Sequence, residues 1–167
     1  MDPKNTQELD ALFVTRAQSE RSAAEAAEAR RVSREAFLDR FYKARGEVMA
    51  PAMRAFGEYL RTKGLEFEVT TEDTKPSEDS RRSGPISASI TLAFAPSGKL
   101  RTSAHGRDYP ELRFTCNEAG EKVTVYESAM WGGSGSSGPG GDVALDQVTA
   151  NYIEDRLTAL VKKVLGR

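Results

Sequence analysis

The segment Ile86–Phe94 alternates apolar with polar or small residues at every step, and it constrains the fold more than any other part of the chain. A period of two places successive side chains on opposite faces of a β-strand. The same alternation recurs over Leu65–Thr70 and Leu112–Cys116, and Lys122–Met130 is again rich in strand-forming residues. Strands of this kind build a sheet with one buried and one hydrated face, which is typical of antiparallel pairing. The sequence predicts an antiparallel sheet of four or five strands.

Helical patterns flank these strands on both sides. Residues from about Thr6 to Lys63 favour helix almost throughout, and Pro51 predicts a kink or break near Glu47–Ala50 because proline lacks a backbone donor and clashes with the preceding turn. A last helix follows Thr149, which is a good N-cap residue. Both helices are expected to cover the apolar face of the sheet, which gives an α+β fold. Residues 1–34 are interpreted as a polar helical extension and residues 35–167 as a single α+β domain.

The second half of the long helix carries an apolar stripe at every third or fourth position. The predicted stripe comprises Phe37, Phe41, Ala44, Val48, Ala52, Ala55 and Tyr59, and it is widened by Leu38, Met49, Met53, Phe56 and Leu60. Such a stripe must pack against another surface. It contains more large apolar residues than one sheet face is expected to need, so we expect a homodimer, with coiled-coil-like pairing of N-terminal helices.

The run Trp131–Asp142 is rich in glycine and serine and is expected to be a mobile loop between a strand and the last helix. A short edge strand is expected over Val143–Leu145. Residues 133–138 match G-x-G-x-x-G, but a dinucleotide site needs a helix immediately afterwards, and Pro139 stands where a phosphate-binding loop would carry lysine. An anion site at residues 132–141 is therefore a secondary hypothesis.

A surface for an unidentified protein partner is predicted beside this loop, because tryptophan is a frequent interface anchor. The predicted partner-binding residues are Trp131, Gly133, Gly135, Gly138, Tyr126 and Arg113.

Basic residues outnumber acidic ones between Arg30 and Lys63, and a basic helix can follow a phosphate backbone. Arg30, Arg31 and Arg34 are the candidate nucleic-acid contacts. The net charge of −1 gives no global field that would attract nucleic acid or a membrane.

Catalytic chemistry has little support, since the chain has one histidine and one cysteine. His105 lies in one short loop with Ser103 and Asp108, which are too close together for a catalytic triad drawn from separate elements. No catalytic residue, cofactor or metal ligand is predicted. The single cysteine and the missing signal sequence favour a cytoplasmic location, and the alanine- and arginine-rich composition suggests a bacterial source.

These observations favour a non-enzymatic protein-binding or assembly module that self-associates through its N-terminal helix. Two alternatives stay open. One is a nucleic-acid-associated protein that uses the basic helix at residues 30–63, and the other is a small enzyme or ligand-binding domain with an anion site at residues 132–141.

Overall fold

The computed structural model describes residues 3–75, 86–97, 100, 109–131 and 135–166, and for residues 3–6 it describes only the backbone. The chain divides into two units, Met1–Ala36 and Phe37–Arg167. The elements in chain order are α1 (Pro3–Ala44), a π-helical turn (Arg45–Met49), α2 (Ala50–Thr62), β1 (Glu66–Glu72), β2 (Ser89–Ala95), β3 (Glu111–Asn117), β4 (Lys122–Ser128), β5 (Ser137–Val143), a 3-10 turn (Leu145–Gln147) and α3 (Ala150–Leu165). A long N-terminal helix, a five-stranded antiparallel sheet and a C-terminal helix confirm the predicted α+β fold.

The described residues of the first unit, from Pro3 onward, are helical, and every residue from Gln7 to Ala36 is exposed. Ion pairs one turn apart support it: Arg16 lies 2.7 Å from Glu20, and Arg31 lies 2.6 Å from Glu35. Exposed pairs of this kind contribute only a few tenths of a kcal/mol each. This unit therefore has charged side chains at its surface but little buried apolar area.

The π-helical turn accommodates Pro51. In an uninterrupted α-helix, the proline ring would clash with the carbonyl of Glu47, four residues earlier. Here the N–H of Ala50 instead donates to the carbonyl of Arg45, five residues earlier, so the helix widens just before the proline. The predicted break near Glu47–Ala50 is confirmed, and it takes the form of a change in helix type.

The π-turn contains one residue more than an α-helical turn. The buried positions that follow it therefore lie one residue later in the sequence than they would in an uninterrupted α-helix. Phe37 and Phe41 are buried before the turn, and Met49, Met53 and Leu60 are buried after it. A residue at every fourth position drifts about 40° per step around an α-helix, and the extra residue of a π-turn offsets part of that drift. The prediction was wrong for two members of the stripe: Ala55 is exposed, and Tyr59 exposes 58% of its surface.

The sheet is a simple meander in which β1 to β5 lie in chain order. Paired residues share a face, so Ile90, Phe114 and Val125 lie side by side across β2, β3 and β4. The helices α2 and α3 pack against this apolar face. The largest fully buried side chains are Phe37, Phe41, Phe94, Phe114, Met49, Met53, Ile90, Leu92, Leu112, Ile153, Leu157 and Leu160. All of them belong to the Phe37–Arg167 unit, which therefore has its own core.

Residues 137–142 of the glycine-rich run belong to the strand β5, which corrects the prediction of a mobile loop for this part of residues 132–141. Residues 132–134 of that predicted loop lie outside the described residues. Ser137–Val143 pairs with β4 and forms an edge of the sheet, where a proline is tolerated because one side of the strand needs no partner. The register slips between Val125 and Tyr126, so Gly140 is an extra residue in a β-bulge. The edge strand predicted at Val143–Leu145 is therefore β5, which begins at Ser137 and ends at Val143.

The second face of the sheet is polar, as predicted, but its exposure is uneven. Thr70, Thr91, Arg113 and Tyr126 lie side by side across β1 to β4. At the centre, Ser89 and Thr91 are only 4% and 5% exposed, although the alternation predicted hydrated side chains there. The Nε–H of Arg113 donates to Oγ1 of Thr91 at 3.2 Å, so a long side chain lies over a short one. The name "polar sheet face" is used below for this surface.

Replacing Gly57 by alanine tests the packing of α2 on β1. A Cβ at Gly57 would overlap the ring of Phe67, and Arg61 lies over that same ring at 4.7 Å. We expect Gly57→Ala to lower the free energy of unfolding by ~1–3 kcal/mol, as overpacking typically does. Gly46→Ala is the matched control, because a Cβ there meets no atom within 4 Å. That change should leave stability unchanged or raise it by up to ~1 kcal/mol. Urea titration measures both variants, and equal effects would contradict the close approach of α2 to β1.

Candidate functional site

Arg113 is the centre of the polar sheet face. Its Nη2 donates to Oε1 of Glu111 at 2.8 Å, and the Glu111 side chain is only 7% exposed. Its guanidinium carbon lies 5.8 Å from the ring centroid of Tyr126, its direct cross-strand neighbour. The structure thus places two of the predicted partner-binding residues, Arg113 and Tyr126, in contact. A guanidinium held by a carboxylate, a hydroxyl and an aromatic ring is oriented, and it remains 41% exposed at the side chain.

Trp131 lies just beyond the end of β4, and its ring stacks on Tyr109, which precedes β3. The ring centroids are 5.4 Å apart with an angle of 29° between the planes, and both residues are partly buried. The stack adds an aromatic surface at the end of the β3–β4 hairpin where Glu111 pairs with Ser128. Tyr109 was not among the predicted residues, because only the folded chain brings it to Trp131.

The predicted glycines have different structural roles. Gly133 lies outside the described residues. Gly135 has φ +142°, and a Cβ there would overlap the carbonyl of Ala129, so this position needs glycine. Gly138 pairs with Glu127 in the sheet, and a Cβ there would meet no atom within 4 Å. The backbone therefore explains the glycine at position 135, whereas position 138 has room for a side chain.

An ion pair beneath β5 was missed by the sequence analysis. Nε of Arg156 on α3 is buried and lies 2.7 Å from Oε1 of Glu127, as an ion pair without hydrogen-bond geometry. A Cβ at Gly140 would overlap the same guanidinium, whose Nη2 also reaches the carbonyl of Gly140 at 3.5 Å. The bulge glycine therefore leaves room for the arginine between α3 and the edge strand.

The three candidate nucleic-acid arginines, Arg30, Arg31 and Arg34, are all exposed on α1. Arg31 donates to Glu28 and to Glu35, both at 2.6 Å, and these carboxylates raise the pKa of its guanidinium. The bond from Arg31 in turn lowers the pKa of Glu28. Arg31 therefore belongs to a local ion-pair group on the helix, in which its charge is largely balanced.

A groove of about 670 Å³ lies within the Phe37–Arg167 unit and was not predicted. Its walls come from the end of α1 and the π-turn on one side and from the connection between β5 and α3 on the other. The lining is mainly apolar and comprises Phe37, Arg40, Ala44, Val48, Glu121, Ala144, Leu145, Asp146, Val148, Thr149 and Ala150. This surface is called the "α1–α3 groove" below.

A cluster of large apolar side chains near the start of α1 was also missed. Leu9, Leu12, Phe13 and Val14 expose 42%, 65%, 65% and 66% of their surfaces. Leu9, Leu12 and Phe13 have the i, i+3, i+4 spacing that places side chains on one side of a helix. Single exposed apolar residues are ordinary, but adjacent ones form a patch of the kind that marks interaction sites.

The described residues offer no group of three or more His, Cys, Asp or Glu side chains that could hold a metal ion. His105, Ser103 and Asp108 lie outside the described residues. Cys116 is buried, and burial, with a smaller contribution from Glu118, raises the pKa of its thiol to about 12. A thiol of that pKa is protonated at neutral pH and is a poor nucleophile. Within the described part of the chain, no helix is long and apolar enough to cross a membrane.

Comparisons of the chain with models of known protein families, with curated proteins and with solved structures found no significant match. The candidate surfaces are therefore interpreted from their own geometry.

Removal of Arg113 tests the organisation of the polar sheet face. We expect Arg113→Met to lower the free energy of unfolding by ~1–3 kcal/mol, because it leaves the nearly buried carboxylate of Glu111 without its cation. The double variant Glu111→Leu with Arg113→Met should regain part of that loss, since it removes both charges. Chemical denaturation measures the cycle.

The control for this cycle is the exposed pair of Glu58 and Arg61, whose side chains are 59% and 60% exposed at an ion-pair distance of 2.7 Å. Glu58→Gln should change stability by less than ~1 kcal/mol. Equal losses for Arg113→Met and for Glu58→Gln would show that Glu111 does not depend on Arg113.

Proposed function

We propose that this protein is a non-enzymatic protein-binding module that self-associates through its N-terminal helix. The observation that carries the proposal is the exposed apolar cluster Leu9, Leu12, Phe13 and Val14. Apolar surface removed from water contributes roughly 25 cal/mol per Å², which acts against the entropic cost of association, so covering this cluster with a second protein surface promotes binding.

The first unit has few interactions within its own chain that stabilise its helix, and this also favours binding to a partner. Isolated helices are marginal in water, and most helices in proteins gain their stability from packing of an apolar face. Gln7–Ala36 is exposed along its whole length and has exposed ion pairs, which add little. A partner that binds the folded helix and not the unfolded one stabilises it by mass action.

The proposed interface differs in position from the one expected from the sequence. Phe37, Phe41, Met49, Met53 and Leu60 are buried in the core of their own unit, so they are not available to a second copy. From Ala17 to Ala36 the only large apolar residue is Val32, whereas a coiled coil needs apolar positions sustained over three or four heptads. We therefore propose a short contact centred on Leu9–Val14. A cytoplasmic, bacterial setting stays part of the proposal and rests on composition.

Charge substitution in the apolar cluster tests self-association. We expect the wild-type chain to form a dimer, and Leu12→Glu with Phe13→Glu to be monomeric, because two carboxylates would have to be desolvated at the interface. Light scattering after size-exclusion chromatography, over a wide range of loading concentrations, measures the mass.

The control is Gln18→Glu with Ser22→Glu, which adds the same charge to exposed polar positions of the same helix. It should keep the wild-type mass. A wild-type chain that stays monomeric at every concentration contradicts the proposal, and so does a dimer that survives both glutamates.

A separate binding surface for another protein is proposed at the polar sheet face, where Arg113 and Tyr126 present a guanidinium beside an aromatic ring. We include Trp131, which stacks on Tyr109 beyond the end of β4, as an aromatic group next to that surface. These residue types are enriched at interface hot spots. The nucleic-acid and anion-site alternatives gain no comparable support. Arg31 is engaged by Glu28 and Glu35, and residues 137–141 of the glycine run belong to the sheet strand β5.

The nucleic-acid alternative is tested by salt dependence. Each phosphate neutralised contributes a slope of about −0.9 to the logarithm of affinity against the logarithm of salt. We expect fluorescence anisotropy with a labelled duplex to give a slope near zero for this chain. Tight binding at physiological salt that is lost in Arg30→Glu with Arg31→Glu and Arg34→Glu would establish the alternative.

A further inference from the structure

The α1–α3 groove has the features of a receptor for a short helix. It has a volume of about 670 Å³. Phe37, Ala44 and Val48 line one wall, and Leu145 and Val148 line the other. The π-turn at Arg45–Met49 contributes Val48 to the wall, and π-turns are frequent at functional sites. Grooves of this kind commonly accept the apolar side of an amphipathic helix, anchored by residues spaced i, i+3 and i+4.

We propose that the occupant of the α1–α3 groove is the Leu9, Leu12 and Phe13 side of α1 from a second copy of this chain. This inference rests on the proposed self-association and names its acceptor surface. The three side chains have the i, i+3, i+4 spacing of helix-in-groove anchors, and they are exposed by 42%, 65% and 65%. The donor segment and the acceptor groove are thus both apolar surfaces that gain from leaving water.

Charges around the two surfaces are complementary. The donor segment has Glu8 and Asp10 beside Leu9, and Arg16 one turn after Leu12. The groove lining has Arg40 on the α1 wall, and it has two carboxylates, Asp146 on the other wall and Glu121 from the β3–β4 connection. Acidic residues at one end of the segment can face Arg40 while Arg16 faces Asp146. Arg16 pairs with Glu20 of its own helix at 2.7 Å, but both side chains are well exposed, and such pairs exchange at little cost.

Reciprocal docking gives a closed dimer. Each copy contributes one helix segment and one groove, so two identical contacts form about a twofold axis. The arrangement differs from a helix-to-helix contact, in which the groove would take no part. It therefore predicts that assembly depends on residues far apart in the sequence.

Mass measurements on groove variants of the full chain test the acceptor. Ala144 and Ala150 are exposed residues that line the groove. Ala144→Glu and Ala150→Glu, made separately, place a carboxylate in the apolar groove, and a carboxylate at Ala150 suits the first turn of α3, so folding is retained. We expect each to weaken dimerisation by on the order of tenfold or more. Ala159→Glu, at an exposed position of α3 outside the groove lining, is the control and should assemble like the wild type.

Mixing variants gives the decisive measurement. Leu12→Glu with Phe13→Glu lacks a donor segment but keeps its groove, whereas Ala144→Glu lacks a groove but keeps its donor. Each is expected to dimerise more weakly than the wild type when alone, so both are mixed at a concentration at which each alone is monomeric. An equimolar mixture should then form a heterodimer through the one intact contact. Circular dichroism confirms that each variant is folded before it is mixed.

The outcomes separate this inference from the proposed function. Dimeric groove variants together with a monomeric Leu12→Glu, Phe13→Glu variant would overturn the groove as acceptor while leaving self-association through α1 in place. A mixture that stays monomeric would also overturn it. A monomeric wild-type chain would overturn both.

Discussion

The contacts of Arg45 join the π-turn of the helix to the end of β1 and add a polar link to the apolar packing between helices and sheet. Arg45 lies in the π-turn, and its side chain is only 15% exposed. It donates to the carbonyl of Glu72 at 2.8 Å and to the carboxylate of Asp73 at 2.6 Å, both at the end of β1. Its guanidinium carbon lies 4.7 Å from the ring centroid of Tyr42, whose hydroxyl accepts the N–H of Thr74 at 3.1 Å. Helix and strand end are thereby tied at one position, and beyond it the buried side chains of α2, among them Met53 and Leu60, pack in the core.

The sequence predicted the elements of the fold well because their periodicities are local properties. Alternation in Ile86–Phe94 follows from a strand with one apolar side, and the effect of Pro51 follows from its missing donor. The exposure of Tyr59 could not be predicted, since one extra residue in a π-turn leaves no mark in composition but shifts every later residue around the helix axis. The strand β5 was missed for a different reason. Its glycines and proline disfavour a strand, and its pairing depends on β4 and on the space that Gly140 leaves for Arg156.

Contacts between candidate site residues could be predicted from the sequence only where the two residues lie on neighbouring strands. Arg113 and Tyr126 belong to two runs that the sequence predicts as strands, and the register of the neighbouring strands β3 and β4 brings them together. Trp131 was recognised as a possible anchor, but its partner Tyr109 was not, because that contact joins the two open ends of the hairpin. The apolar side chains of Leu12 and Phe13 were missed because exposure is a tertiary property. From the sequence alone, an apolar residue in a helix is expected to be buried in a core. Only the structure shows that the core is complete without Leu12 and Phe13.

Because the core is complete without Leu9–Val14, the residues that stabilise the fold differ from the residues proposed to form the dimer. The buried cluster of the Phe37–Arg167 unit is built from residues of that unit alone, including Phe94 on the sheet, Met53 on α2 and Leu157 on α3. Residues Leu9–Val14 contribute no member to it, so their apolar surface is not needed to hold the sheet and its helices together. Large exposed apolar residues lower solubility. In this helix they add no stability within their own chain, because they are exposed and contribute no member to the core. The proposed self-association would cover them, and a protein whose core is complete could form or lose that contact without unfolding.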